Sequence, residues 1–222
     1  MPIASPLSQR RTVVALLLLT FATGLVDAVS VLVLGRVFVA NMTGNAIFLG
    51  FLFVPGTGFD LTAVVVAIAG FFTGAVISGR LFRRYGNPNP RRWLTVALSL
   101  EAVLLLLLST LAGLGVLSYS DMSKLVLIAG LAVAFGVQNS TARQFGIQEL
   151  YTTVLTSTIV GLGVDSRLAG GRGDRQNLRY AVVFVMILGA VVGATLTHVF
   201  VAPIIAMAGA VVLVSLALFR YG

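Results

Sequence analysis

Apolar positions along the chain gather into eight runs: Val13–Gly35, Val37–Val54, Leu61–Phe82, Trp93–Leu117, Leu125–Gln138, Leu150–Val164, Tyr180–Phe200 and Val201–Phe219. A helix needs about 20 apolar residues to cross roughly 30 Å of hydrocarbon. Counting all eight runs as crossings conflicts with the charges between them. The loop after the third run holds Arg80, Arg83, Arg84, Arg91 and Arg92, and the loop after the sixth holds Arg167, Arg172, Arg175 and Arg179. Basic loops of this kind stay on the cytoplasmic face, so an even number of crossings must separate them. Three runs lie between the two loops, and three lie between Arg10/Arg11 and the first loop. One run in each set therefore does not cross. After Gly44 the second run offers only Ala46–Val54, about 14 Å of helix. The sixth, about 22 Å long, carries Thr152, Thr153, Thr156, Ser157 and Thr158. The pattern predicts an all-α integral membrane protein with six transmembrane helices and two re-entrant half-helices. The second run dips in from outside and the sixth from the cytoplasm, and both termini are cytoplasmic.

Composition agrees with a membrane solvent. Of 222 residues 58% are hydrophobic and 10% charged, with a mean hydropathy of +1.04, too little charged surface for a soluble domain of this size. The longest polar stretch, Val164–Arg179, is only a loop, so residues 1–222 read as a single membrane domain. The net charge of +8 would point to nucleic acid in a soluble protein. Here the basic residues flank apolar runs, which marks anchoring beside anionic lipid and leaves no basic domain for nucleic acid. Cysteine is absent, so there is no disulfide framework, Cys-ligated zinc or thiol nucleophile. Arg10 and Arg11 followed by an apolar stretch resemble a signal peptide. The stretch continues to Gly35, however, and includes Asp27, so it reads as a retained helix.

The two short runs lie in similar surroundings. "GLVDAVSVLVLGRVFVANMTGNAIFLG" (Gly24–Gly50) aligns with "GVQNSTARQFGIQELYTTVLTSTIVGLG" (Gly136–Gly163) with one inserted residue, so Asp27 faces Asn139 and "MTGNAIFLG" faces "LTSTIVGLG". "IAGFFTGA" (Ile68–Ala75) matches "ILGAVVGA" (Ile187–Ala194), keeping a glycine pair four apart. With the parity argument, repeat 1 (about 12–117) and repeat 2 (about 124–220) run in opposite directions. An inverted internal repeat with interrupted helices is the usual build of secondary transporters. The Gly70/Gly74 and Gly189/Gly193 pairs read as close helix contacts.

Candidate chemistry centres on Asp27. A carboxylate inside a spanning helix costs about 2.5–3.5 kcal/mol on insertion scales, so it faces a cavity or a partner. Thr20, Thr23, Asp27 and Ser30 recur at spacings of three and four and line one helix face. Asp27 is either a proton or cation site, or one half of a helix-to-helix hydrogen bond to Asn139 or Gln138. In "NMTGN", Asn41 and Thr43 are good caps for a half-helix starting near Thr43, and Gly44 permits close approach. The segment is either a substrate or ion site or a capped loop without a ligand. "GVQNSTARQFGIQEL" supplies Gln138 and Asn139 as a polar wall opposite Asp27, with Arg143 and Glu149 as a surface pair. Glu101 lies inside the fourth run and offers a proton path or a cross-helix pair. His198, the one histidine, lies at a helix end, and no metal or cofactor set is expected. No GxSxG, HExxH or Walker loop is present, so no enzyme is expected.

On "GLVDAVSVLVLGRVFVANMTGNAIFLG", "AFGVQNSTARQFG" and "TTVLTSTIVGLG" the chain resembles the YoaK family of bacterial inner-membrane proteins, a domain of unknown function, over about Arg11–Arg220. The resemblance implies a multi-pass protein of the bacterial plasma membrane and no established activity. The residues themselves lead to two expectations. One is a transporter of a small solute or ion, with a midplane site built from Asp27, Ser30, Asn41, Thr43, Gly44, Asn45, Gln138, Asn139, Thr156, Ser157 and Thr158. The other is a non-transporting membrane partner whose polar core serves packing only, and under either a homo-oligomer is open. In either case the lipid bilayer is the first partner.

Overall fold

A computed structural model of the chain describes residues 8–54, 56, 58–86, 89–144, 155–173 and 175–221. Eight α-helices follow in order: α1 (Gln9–Val33), α2 (Met42–Gly50), α3 (Leu61–Leu81), α4 (Pro90–Gly113), α5 (Lys124–Arg143), α6 (Leu155–Val164), α7 (Gln176–Thr197) and α8 (Ala202–Tyr221). Among the described residues there is no strand. Two starts are fixed by side chains that accept orphan amides. Asp60 accepts from the Ala63 amide at 3.0 Å, and Asn89 from the Arg92 amide at 3.0 Å, with Pro90 at the first position of α4. One π-helical turn, Phe82–Gly86, extends α3 and sets Phe82 edge-on to Trp93.

Among the described residues six helices are long and apolar enough to cross a membrane: α1, α3, α4, α5, α7 and α8. The second and sixth runs instead yield α2 and α6, nine and ten residues long. At 1.5 Å per residue each spans about 15 Å or less, half the hydrocarbon thickness. The fifth run is longer than its apolar stretch: α5 continues through Gln138, Asn139, Ser140, Thr141 and Ala142 to Arg143. Gln138, Ser140 and Thr141 bond to neighbouring helices and Asn139 to its own, so they do not end the helix.

Glycines set how the helices meet. Gly70 and Gly74 of α3 lie on the backbone of Ala129 and Val133 in α5, and Gly136 of α5 lies on Phe71–Ala75. Gly189 and Gly193 of α7 lie on Phe21 and Leu25 of α1, and Gly24 of α1 lies on Met186–Ala190. A Cβ at any of these would meet backbone atoms, so the predicted close contacts are present in both pairs. The touching residues advance together, so α3/α5 and α1/α7 are parallel pairs. Antiparallel pairs join them. Ser109 of α4 donates to the Ala202 carbonyl at the start of α8 (2.7 Å), and Ser215 of α8 donates to the Ala15 carbonyl of α1 (3.1 Å). α4 also packs along α5, with Leu108 filling the space over Gly130. Leu16, Leu19, Leu98, Leu105, Leu131 and Phe135 are among the buried residues of the shared core.

The helix ends divide the charges. Lys124 at the start of α5 pairs with Asp60 at the start of α3 (2.7 Å), and a side chain on Gly35, just past α1, would stand 3.2 Å from Asp60 Cβ. The segment between α1 and α3 therefore leaves and returns at one end of the bundle. Every Lys and Arg other than Arg36 and Lys124 lies at the opposite end, at the start of α1, α4 or α7, the end of α3, α5 or α8, or in the loop before α7. Partial burial would raise the Asp60 carboxyl, but the Lys124 ammonium and the amides of Ala63 and Thr62 outweigh it and hold it below the ordinary value. A depressed acid stabilises the fold above its unfolded pKa, and the effect is lost as pH falls through the folded one. Asp60→Asn, which keeps a capping oxygen, should thus cost less than about 1 kcal/mol at neutral pH. In thermal melts its difference from wild type should vanish in acid.

Candidate functional site

The predicted polar face of α1 is buried: Thr20, Thr23, Asp27 and Ser30 all point inward. Its hydroxyls are bonded within the helix, Thr20 to the Leu16 carbonyl, Thr23 to Leu19 and Ser30 to Asp27, each at 3.0 Å. Asp27 is used differently. After α1 the chain turns back along it, burying Leu34, Val37, Val39 and Ala40. The amides of Val39 and Ala40 both donate to Asp27 Oδ1, at 3.1 and 3.0 Å. Asp27 lies six residues before Val33, so the returning strand penetrates about 9 Å below the end of α1. Among the described residues, the expected partner from Asn139 or Gln138 is not there. Asp27 Oδ2 takes no hydrogen bond among the described residues and is not fully enclosed, the residue keeping 7% of its surface open. One carboxyl oxygen holds the chain and the other is left over.

The "NMTGN" stretch is arranged otherwise than its capping preferences indicate. Asn41 occupies the N-cap of α2 but its side chain makes no capping bond, and Thr43 is exposed. Asn45 takes the structural part. Its Oδ1 accepts from the Phe38 amide (2.9 Å) and its Nδ2 donates to the Phe38 carbonyl (2.6 Å), so one buried amide side chain replaces the strand partner that the turned-back residue lacks. Gly44 is needed because the Phe38 ring occupies the place of a Cβ, with Cε2 2.6 Å away. Phe38 stacks on Phe48, which stacks on Phe59, fastening α2 to the segment leading into α3. Apolar residues such as Phe38, Val39 and Ala40 give no sign in the sequence that their amides and carbonyls meet Asp27 and Asn45.

In the second half Gln138 Nε2 donates to Thr23 Oγ1 (2.8 Å) and the Leu19 carbonyl (3.3 Å), joining α5 to α1. Its Oε1 is buried without a hydrogen-bond partner among the described residues. Asn139 donates to the Phe135 carbonyl of its own helix (3.0 Å), and Thr141 meets Ser78 of α3 (3.2 Å). On α6, Thr158 is buried while Thr156 and Ser157 are exposed. Arg143 is exposed as expected; Glu149, Thr152 and Thr153 lie outside the described residues. Arg179 at the start of α7 donates to the Gly161 carbonyl (2.8 Å) and pairs with Asp165 (2.6 Å), holding the end of α6. Arg179→Gln should loosen this end by about 1.5–3 kcal/mol, seen as faster amide exchange in Gly161–Asp165 with little change in α3 or α5.

The expected site residues therefore fall into separate groups. Asp27, Gly44 and Asn45 gather where the chain re-enters the bundle, and Gln138 meets Thr23 across α1 and α5. α2 packs on α3 and α6 on α7, and among the described residues the two short helices share no extended contact. Glu101 is completely buried in α4, and neither carboxyl oxygen has a hydrogen-bond partner among the described residues. His198 caps the end of α7 and is exposed.

Comparison with known proteins agrees with a membrane bundle. The family model described as protein of unknown function (DUF1275) matches residues 15–218, from the first turns of α1 into the last of α8. The chain is similar to the UPF0700 transmembrane protein YoaK of Bacillus subtilis (strain 168), with 30% identity over 178 residues, covering 79% of this chain and 76% of the relative. No solved structure matches. The match runs through all six candidate spanning helices and both short ones, and the chain belongs to the DUF1275 family.

Proposed function

We propose that the protein is a plasma-membrane transporter of a small solute or ion, built as an inverted repeat in which α2 and α6 are re-entrant half-helices. The observation that carries the reading is the division of labour at Asp27. An intramembrane carboxyl has one oxygen tied to the turned-back chain and one, Oδ2, free to meet a solute beside the start of a short helix. Unpaired amides at such a start favour anions and polar groups. The solute would meet Asp27, Asn41, Thr43, Gly44 and Asn45 there, with Asn139, Thr156, Ser157 and Thr158 as their counterparts in the second half. Ser30 and Gln138 hold the surrounding helices.

The packing supports the repeat. Exchanging α1 with α5, α2 with α6, α3 with α7 and α4 with α8 turns α3/α5 into α7/α1, α4/α5 into α8/α1 and α2/α3 into α6/α7, and leaves α4/α8 as itself. Each exchanged helix runs the opposite way. Asn45 and Thr158, the buried members of α2 and α6, face each other in the sequence match. By packing, Gly74 on Val133 corresponds to Gly189 on Phe21, one helical turn away from the sequence pairing of Gly74 with Gly193. The basic end is then cytoplasmic, together with both termini.

A second reading, a non-transporting membrane partner, is favoured by Asn45, whose buried amide bonds Phe38 through both its oxygen and its nitrogen and also donates to Met42 Sδ. Asp27→Asn in proteoliposomes separates the two. Asn keeps an acceptor for both amides and removes the free carboxylate oxygen. The transport reading expects a folded protein that has lost its proton-dependent flux; flux equal to wild type would leave Asp27 a packing residue.

A further inference from the structure

Three buried oxygens lie unused in the centre of the bundle, and they belong to two helices that face each other. Both oxygens of Glu101 on α4 and Oε1 of Gln138 on α5 lack a hydrogen-bond partner among the described residues. Leu108 of α4 fills the space over Gly130 of α5. Glu101 lies two turns before Leu108 on the same face, about 10.5 Å along the axis. The helices are antiparallel, so an equal distance along α5 from Gly130 ends at Val137, the neighbour of Gln138. The two side chains thus lie at one depth, where Gln138 has already given its Nε2 to Thr23 and Leu19 and turns an acceptor to the core.

Acceptors buried at one depth on two packed helices require a donor. No basic residue supplies it. On α5 the charged residues are Lys124 and Arg143 at the ends; on α8 there is Arg220 in the last turn. Arg80 and the turn bearing Arg83, Arg84 and Tyr85 lie at the basic end of α3, and Arg91 and Arg92 begin α4. Asp27 lies against the turned-back segment, its Oδ1 accepting from the amides of Val39 and Ala40. A hard metal cation is a poor fit, since it takes about six or more oxygen ligands and three are on offer. One proton fits. We infer that Glu101 and Gln138 form a proton-binding site at the core of the bundle, Glu101 carrying the proton and Gln138 Oε1 accepting its hydrogen bond. Loading breaks one O–H bond of a hydronium ion, leaving water, and forms the O–H bond of the Glu101 carboxyl; unloading reverses both changes. The inference rests on the transport reading for its use, the proton then being the coupling ion, but its test does not.

The chain has two glutamates, Glu101 and Glu149. In Glu149→Gln, carrying glutamate labelled with ¹³C at the side-chain carboxyl, every label-sensitive carboxyl signal comes from Glu101, and both residues of the site remain native. Infrared spectra in lipid nanodiscs should show a label-shifted protonated carboxyl band at neutral pH that moves on exchange into D₂O and is lost as pH is raised. Adding Gln138→Leu should move the band to higher frequency by removing its acceptor. A labelled carboxylate with no protonated band at neutral pH would overturn the inference. So would a band that neither exchanges nor titrates, or one indifferent to Gln138→Leu. The readouts part cleanly from flux: the expected band with undiminished flux in Asp27→Asn removes the proposed site at Asp27 and leaves this one standing. Lost flux in Asp27→Asn with no band does the reverse.

Discussion

Gly74→Leu and Gly189→Leu, made separately, should each fail to yield a stable bundle. A Cβ at Gly74 would run into the carbonyl of Val133, and one at Gly189 into the carbonyl of Phe21. Both obstacles are backbone within spanning helices, so no side-chain rotation relieves them. Helices in lipid associate through close packing rather than through expulsion of water, which makes contact distance decisive. Overfilling a core ordinarily costs about 1–3 kcal/mol; separating a whole parallel helix pair should cost more. The measurement is the fraction of monodisperse protein and the melting temperature in detergent. Gly50→Leu and Gly163→Leu supply the control, because nothing lies within 4 Å of a Cβ at either position, and both should behave as wild type. A normal melt for Gly74→Leu would mean that α3 and α5 do not meet at Val133.

Asp27→Leu carries the next largest effect. It leaves the buried amides of Val39 and Ala40 without an acceptor, at about 1–3 kcal/mol each. The loss should concentrate in the turned-back segment and α2, because α1 packs on α7 and α8 through other faces. Amide exchange should therefore accelerate at Val37–Gly50 while α4 and α8 stay protected. Asp27→Asn, with its carbonyl oxygen in the place of Oδ1, should remain within about 1 kcal/mol of wild type. Equal damage from Asn and Leu would show that the negative charge, rather than the acceptor, holds the chain.

Which runs form long apolar helices and which form short ones was legible in the sequence, because two independent quantities converge on it. Arginine placement required that one run in each half not cross, and helix length picked out the second and sixth, which became α2 and α6. The site was less legible for reasons that are also physical. Capping preferences are local, and they pointed to Asn41 and Thr43; the residue that satisfies the backbone is Asn45, acting seven positions back on Phe38. Asp27 was identifiable as buried and inward-facing, but its partners are amides of apolar residues, which composition does not distinguish from any others. The length of α5 was understated because Gln138 and Thr141 look like a helix end until the partners on α1 and α3 are known.

The central claim is that α2 and α6 enter the bundle and turn back, so that the chain on either side of each emerges at the same face. The chain has no cysteine, which makes single-cysteine labelling in sealed vesicles direct. Cysteines at Arg36 and Thr62, which bracket α2, should react with a membrane-impermeant maleimide from one side. Those at Arg143 and Arg172, which bracket α6, should react from the other side, together with Arg84. Labelling of Arg36 and Thr62 from opposite faces, or of Arg143 and Arg172 from opposite faces, would mean that a short helix crosses after all, and the account would fail.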